Sequence, residues 1–233
     1  MKLKAYRVLS NVVIIGMLIF MCVFIGASNY QYVFNYNNEN VIYNGNRDST
    51  NVSIMFNVYW GTEYIDGILD VLDQFGVKTT FFVGGQWVEK EPEMLDKIIS
   101  RGHEIGNHGY FHKEHEHLSY EQNLEEINTT HNLVKVVHDY EMNLFAPPSG
   151  SFNKSTLDTC AELGYSTIMW SKDTIDWRDK DANIIFKRAT SNISGGDLVL
   201  AHPTENTLKA LPLILEYYKV NNLTATTVSN CLK

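Results

Sequence analysis

The sequence predicts an α/β fold in which a parallel sheet, covered by helices, curls toward a barrel. Three observations lead there. Short apolar runs alternate with amphipathic stretches about seven times between residues 51 and 233. No GxGxxG or GxxxxGKS/T pattern follows the first strand, which disfavours an open nucleotide-binding sheet. The unusual residues Asn57, His108, His112, Pro147 to Gly150, Asp173, Asp176, Trp177 and His202 all fall just after predicted strands. In a β/α barrel the C-terminal strand ends share one face, and that face carries the site.

The elements read in order as follows. Val52 to Val58 is a strand. Thr62 to Phe75 is a helix with Thr62 as its cap, an apolar face of Ile65, Ile68, Leu69 and Leu72, and Gly76 as its stop. Thr79 to Val83 is the second strand. Pro92 to Ser100 is a helix with proline near its start and Gly102 past its end. His103 to Gly106 is a short strand. Ser119, with Gln122 three residues on, forms a capping box that opens a long helix. Leu144 to Ala146, Ser166 to Trp170, Asp197 to Ala201 and Leu223 to Thr226 are further strands, separated by helices near Lys154 to Leu163, Ala182 to Asn192 and Thr207 to Val220.

Before this domain, Lys2, Lys4 and Arg7 precede an unbroken apolar run from Val12 to Ala27. The run approaches the ~20 residues of a membrane span. Positive charge on its short leading side predicts that the chain beyond Ser28 faces away from the cytoplasm. Residues 1–28 are therefore expected to be a cytoplasmic stub and single-pass transmembrane helix, with a cleaved signal segment at Gly26 to Ser28 as the alternative. The domain would then be extracytoplasmic at the cell membrane, or secreted if the segment is cleaved. Residues 29–50, rich in Asn and Tyr, are expected to be a polar spacer, and 51–233 the globular domain.

The 233 residues are 44% hydrophobic and 20% charged, ordinary for a globular chain. A net charge of −8 argues against nucleic acid as a partner, which needs clustered Lys and Arg. A monomer is expected. Cys22 lies in the apolar run, which leaves Cys160 and Cys231, expected as two unpaired thiols.

Four segments carry chemistry. His108 and His112, four residues apart after a strand, can meet one metal ion from a single turn of chain, although His115 and His117 follow at once and thin the signal. His202 closes the strand that begins at Asp197 and can serve as a general acid. Asp173 and Asp176 share a loop with Trp177, and either carboxylate can fix the tautomer of a nearby histidine. The rigid Ala146-Pro-Pro-Ser-Gly150 turn can present the Ser149 N–H to a developing oxyanion. Each has an ordinary reading as loop or turn chemistry when taken alone. Aromatic Tyr59, Trp60, Tyr110, Phe111 and Trp177 stand near the expected groove, and Trp60, Tyr110, Pro148 and Trp177 are the expected substrate contacts.

Together these segments are far more specific. Gly102-His-Glu-Ile-Gly-Asn-His108 through His112, then Pro147-Pro148-Ser149-Gly150, Asp173 to Trp177, and Leu198-Val-Leu-Ala-His202 resemble, in order and spacing, the NodB-type polysaccharide deacetylases of carbohydrate esterase family 4. The resemblance covers about residues 51 to 231. It implies a distorted (β/α) barrel, a divalent metal of zinc type, and hydrolysis of N-acetyl groups from amino-sugar polymers such as peptidoglycan or chitin oligomers. Carried over, His108 and His112 are metal ligands and His202 is the acid that protonates the leaving amine. Asp173 or Asp176 tunes that acid, and Ser149 stands at the oxyanion position.

The sequence also departs from the pattern. Where the family has Thr-Phe-Asp-Asp, this chain has Met55-Phe56-Asn57-Val58. Asn57 cannot take a proton from water in the base's place, and Val58 cannot ligate. Ala146 replaces the arginine that supports the base. An arginine placed to pair with a residue-57 carboxylate would be buried and unpaired opposite Asn57, so the losses are linked. The Asn57-Val-Tyr-Trp-Gly61 and Phe145-Ala-Pro-Pro-Ser-Gly150 segments resemble a divergent branch of the family in spore-forming bacteria. Reduced or altered deacetylation is the expectation, with metal held weakly unless Glu63, Asp66 or Asp173 supplies a third ligand. The alternative is a catalytically inactive glycan-binding module on the same fold.

Overall fold

The computed structural model describes residues 41–233, and the expected transmembrane segment lies outside the described residues. Among the described residues no helix is long and apolar enough to cross a membrane.

The sheet begins with a short strand, β1 (Val41–Ile42), followed by β2 (Asn51–Val58) and helix α1 (Thr62–Gln74). Next come β3 (Thr80–Val83), α2 (Gly85–Lys90), α3 (Pro92–Ser100) and β4 (Glu104–Asn107). Then α4 (Tyr120–His138), β5 (Leu144–Phe145), α5 (Lys154–Glu162), β6 (Ser166–Ile168) and β7 (Lys172–Asp173) follow. The chain finishes with α6 (Ala182–Thr190), β8 (Leu198–Ala201), α7 (Glu205–Val220), β9 (Thr224–Ala225) and α8 (Val228–Cys231). The sheet order is β1-β6-β5-β4-β3-β2-β8-β7, with β9 joined to β2, and every pairing is parallel. The sheet curls: an isolated antiparallel bridge joins Asn44, just after β1, to Asp197, just before β8. Gly45 N–H donates to Gly196 O at 2.7 Å beside it, and Arg47 pairs with the buried Asp197 carboxylate at 2.8 Å.

The pleat of β2 sorts the core into two layers. Val52, Ile54, Phe56 and Val58 face outward, where they pack with Ile65, Ile68, Leu69 and Leu72 of α1 and with Leu211 and Leu215 of α7. Met55 faces inward with Phe82, Leu144, Leu198 and Leu200, and α8 stops the barrel with Val228 and Cys231. Each fully buried apolar side chain contributes roughly 1.5–3 kcal/mol, so a one-residue slip in β2 would exchange both layers and is strongly disfavoured.

Several expectations change. The spacer does not reach residue 50, because Val41–Ile42 pairs with β6 and Asn44 with Asp197. Thr62 does not cap α1. The cap is Gly61 at φ 82°, where a Cβ would meet the Pro203 carbonyl, and the Thr62 hydroxyl instead accepts from Trp87 Nε1 at 2.8 Å. Helix α2 carries no helical signal in the sequence, since the Gly84-Gly85 pair reads as a break and six residues are too few to show a period. The strand read as Ser166 to Trp170 ends at Ile168, and β7 is an edge strand of two residues. The Ser119–Gln122 capping box is present, and the helix read from Thr207 starts at Glu205 behind the Thr204 cap.

Candidate functional site

Parallel strands deliver their C-terminal ends to one mouth of the barrel. Asn57 is the last inward-facing residue of β2. His108 follows β4, Asp173 ends β7, and His202 follows β8. These residues line a cavity of about 440 Å³ together with Tyr59, Trp60, His112, Ser149, Trp170, Trp177 and Leu200.

The loop from His108 to His112 is fixed on both sides. Its carbonyls at Gly109 and Tyr110 accept from the Gly85 and Gln86 N–H groups at 2.9 and 3.1 Å. Its N–H groups at Tyr110 and Phe111 donate to the buried Glu126 carboxylate of α4 at 2.9 and 2.8 Å. Glu126 also pairs with Lys113 at 3.0 Å. His112 thereby takes φ 56°, a conformation rarely adopted without glycine. The two imidazole centroids stand 5.0 Å apart at 70°. His108 Nδ1 donates to the Ala146 carbonyl at 2.7 Å, which leaves its Nε2 as the free lone pair. Burial, reinforced by the neighbouring His112, holds His108 well below the usual imidazole range, and burial lowers His112 as well. Both rings are therefore neutral nitrogen donors.

His202 is held differently. Its Nδ1 and its backbone N–H both lie 2.7 Å from the Asp176 carboxylate, which also accepts from the Thr207 hydroxyl. Trp60 stacks on the imidazole with centroids 5.8 Å apart and planes 5° from parallel. Of the two acidic candidates, Asp176 is the one that orients His202; Asp173 sits on the cavity wall with its Oδ1 accepting the Ile175 N–H at 2.8 Å. Ser149 takes φ 56°, and the turn's hydrogen bonds run from Gly150 to Pro147 and from Ser151 to Pro148, so its own N–H takes no part in them.

Two expected substrate contacts are not on the wall. Pro148 is buried beside Gly109. The Tyr110 ring packs over Gly85, which has no Cβ to block it. Trp170 and Leu200 are on the wall although they are not among the expected site residues. Leu200 could have been found from period two, because it lies two residues before His202 on one strand face. Trp170 is the last residue of the strand expected from Ser166 to Trp170, so its place at a strand end was its one signal; the strand itself stops at Ile168.

The donor set falls short of a complete metal site. Catalytic zinc normally has three protein ligands, and His108 and His112 supply two. Val58 is wholly buried in the outer apolar layer and has no donor. Asp66 is an exposed surface partner of Lys97, and Glu63 is exposed on the first turn of α1. Among the described residues, the group of three candidate ligands is Glu114, Glu116 and His117, all solvent-exposed and away from this cavity. Asp173 lines the same wall, but among the described residues it forms no such three-ligand group with His108 and His112.

The polysaccharide deacetylase family profile matches residues 44–168. The chain belongs to the polysaccharide deacetylase family. It is 36% identical over 82% of its length to protein YlxY of Bacillus subtilis, covering 60% of that protein. It is 30% identical over 70% of its length to a peptidoglycan-N-acetylglucosamine deacetylase of Bacillus cereus, covering 59% of that protein. The chain thus spans about 60% of the length of these two relatives. Among solved structures, a CE4 family pseudoenzyme from Bacillus anthracis superposes with a TM-score of 0.81 at 32% identity, over 83% of this chain and 69% of that one. The polysaccharide deacetylase fold accounts for the curled parallel sheet and for the convergence of Asn57, His108, His112, Asp173 and His202 on one mouth.

Proposed function

We propose that this domain acts on N-acetylated amino-sugar polymer of the cell envelope, of the peptidoglycan class, and removes N-acetyl groups at a strongly reduced rate. The observation that carries the reading is Asn57: it occupies the inner wall of the cavity where a proton acceptor is required, and a carboxamide cannot take that proton. A missing general base lowers the rate by roughly 10²–10⁴-fold. What remains supports slow chemistry. The Asp176-oriented His202 can protonate a leaving amine, the Ser149 N–H can meet an oxyanion, and the two neutral histidines can hold a divalent ion such as zinc loosely. Trp60 and Trp177, the latter 57% exposed, offer apolar faces to a sugar ring.

The names of the relatives support the substrate class, and the pseudoenzyme neighbour favours a second reading, glycan binding without turnover. Measuring acetate released from peptidoglycan and from N-acetylglucosamine oligomers, with His108→Ala and His202→Ala alongside, separates the two. Release that both variants abolish supports slow hydrolysis. Release unaffected by either variant sinks it. We further propose that the Val12 to Ala27 segment anchors the chain in the cell membrane with the domain outside. Protease added to intact cells would then digest the domain, and its full protection would refute the orientation.

A further inference from the structure

Val41 to Arg47 crosses the seam between the two edges of the sheet. β1 pairs with β6 at one edge, and Asn44 bridges to Asp197, just before β8, at the other. Met169 to Ser171 crosses the same seam, because it joins β6 to β7. Two links tie the crossings together. The Ile42 carbonyl accepts the Met169 N–H at 2.8 Å. Arg47 Nη1 donates to Asp197 Oδ1 at 2.8 Å, and the same oxygen accepts from the Ser171 hydroxyl at 2.7 Å. Trp170 is thus held through both of its chain neighbours by one short segment.

Trp170 in turn meets the Pro147 to Gly150 turn. It lines the cavity together with Ser149. A Cβ at Gly150 would meet the Trp170 ring at 2.9 Å and the Met169 methyl at 3.1 Å, so both side chains rest on the bare Gly150 backbone. Ser149 and Gly150 take φ 56° and 69°. A serine keeps such a conformation where its surroundings over-determine it, and Trp170 with Met169 supplies that packing.

The crossing segment itself is lightly attached. β1 has two residues, and none of Val41 to Arg47 is buried. Backbone bonds run from Gly45 to Gly196 and from Asn46 to Cys231, at 2.7 and 2.8 Å. The side-chain latch is Arg47, which also reaches Ser194 Oγ at 2.9 Å and the Gly195 carbonyl at 3.3 Å. Segments with few buried apolar contacts open locally at less cost than global unfolding.

We infer that Val41 to Arg47 is a detachable clasp that positions the cavity wall. Docked, it fixes Trp170 and, through Trp170, the Ser149 turn. Released by loss of the Arg47 latch, it loosens both while the rest of the domain stays folded. The coupling does not depend on the function proposed above; it adds a control over two of the residues which that function uses.

The test is hydrogen exchange of the full chain, read by mass spectrometry. In Arg47→Ala the amides of 169–171 and of 150–151 are expected to exchange at least about tenfold faster than in wild type, equivalent to ~1.4 kcal/mol. Amides of α1 and α3 are expected to keep their wild-type rates. Arg47→Lys, which keeps a cation opposite Asp197, should restore most of the protection. Arg101→Ala, which breaks surface pairs with Asp70 and Asp73, serves as the control for general destabilisation and should leave the turn unchanged. If 150–151 keep their protection in Arg47→Ala, Trp170 transmits nothing and the inference is overturned. It is equally overturned if α1 and α3 accelerate as much as the turn, or if Arg101→Ala loosens the turn to the same extent.

Discussion

His202 and Asp176 are joined twice, ring Nδ1 to Oδ1 and backbone N–H to Oδ2, each at 2.7 Å. The carboxylate is fully buried and also holds Thr207 near the start of α7. One side chain thus fixes the tautomer of His202, the position of its backbone and the helix that follows it. Replacing Asp176 by Ala strands three donors at once. We expect a loss of about 3 kcal/mol in urea unfolding, together with loss of any acetate release.

Asn57, Val58 and Ala146 form a linked set. Asn57→Asp alone places a carboxylate on a nearly closed wall with no cation opposite, and should lower stability by about 1–3 kcal/mol. The double change Asn57→Asp and Ala146→Arg supplies a proton acceptor and a supporting charge together, whereas an aspartate at Val58 would be buried in the outer apolar layer. Acetate release should then rise by at least about 100-fold over wild type. An assay showing no rise would mean that more than these two positions has diverged.

Glu126 is buried beneath the histidine loop, with the Tyr110 and Phe111 N–H groups on one oxygen and Lys113 on the other. Glu126→Ala leaves both N–H groups and the lysine without partners. Thermal unfolding should show a loss of about 2–4 kcal/mol. Histidine ring resonances in NMR spectra should shift for His112 as its φ 56° turn relaxes.

His103 is buried, its Nδ1 accepting from the Thr79 N–H, and burial pushes it down to about 4. Because the folded value lies below that of the unfolded chain, ~6.5, the unfolded state binds more protons between the two. Stability is therefore full above pH 6.5 and falls as the pH drops toward 4. His108, His112 and His115 are lowered in the same direction by burial and add to the slope. Denaturant midpoints measured from pH 7.5 to 4 should decline through this window, and His103→Gln should flatten part of the decline.

The sequence by itself determined the β/α alternation, because the period of apolar residues is a local property of strand and helix geometry. It also placed His108, Asp173 and His202 shortly after apolar runs, and the structure brings all three to one cavity. That Asn57 and Val58 stand where the family pattern has two carboxylates could be read directly. Tertiary structure decided the rest. That Asp176 and not Asp173 orients His202 depends on how β7 lies against β8. That Tyr110 turns from the cavity depends on the bare Gly85 backbone 25 residues earlier in the chain, and that Val41 joins the sheet depends on β6. Spacing fixes the order of residues along a strand, whereas direction toward a cavity is set by neighbours distant in the chain.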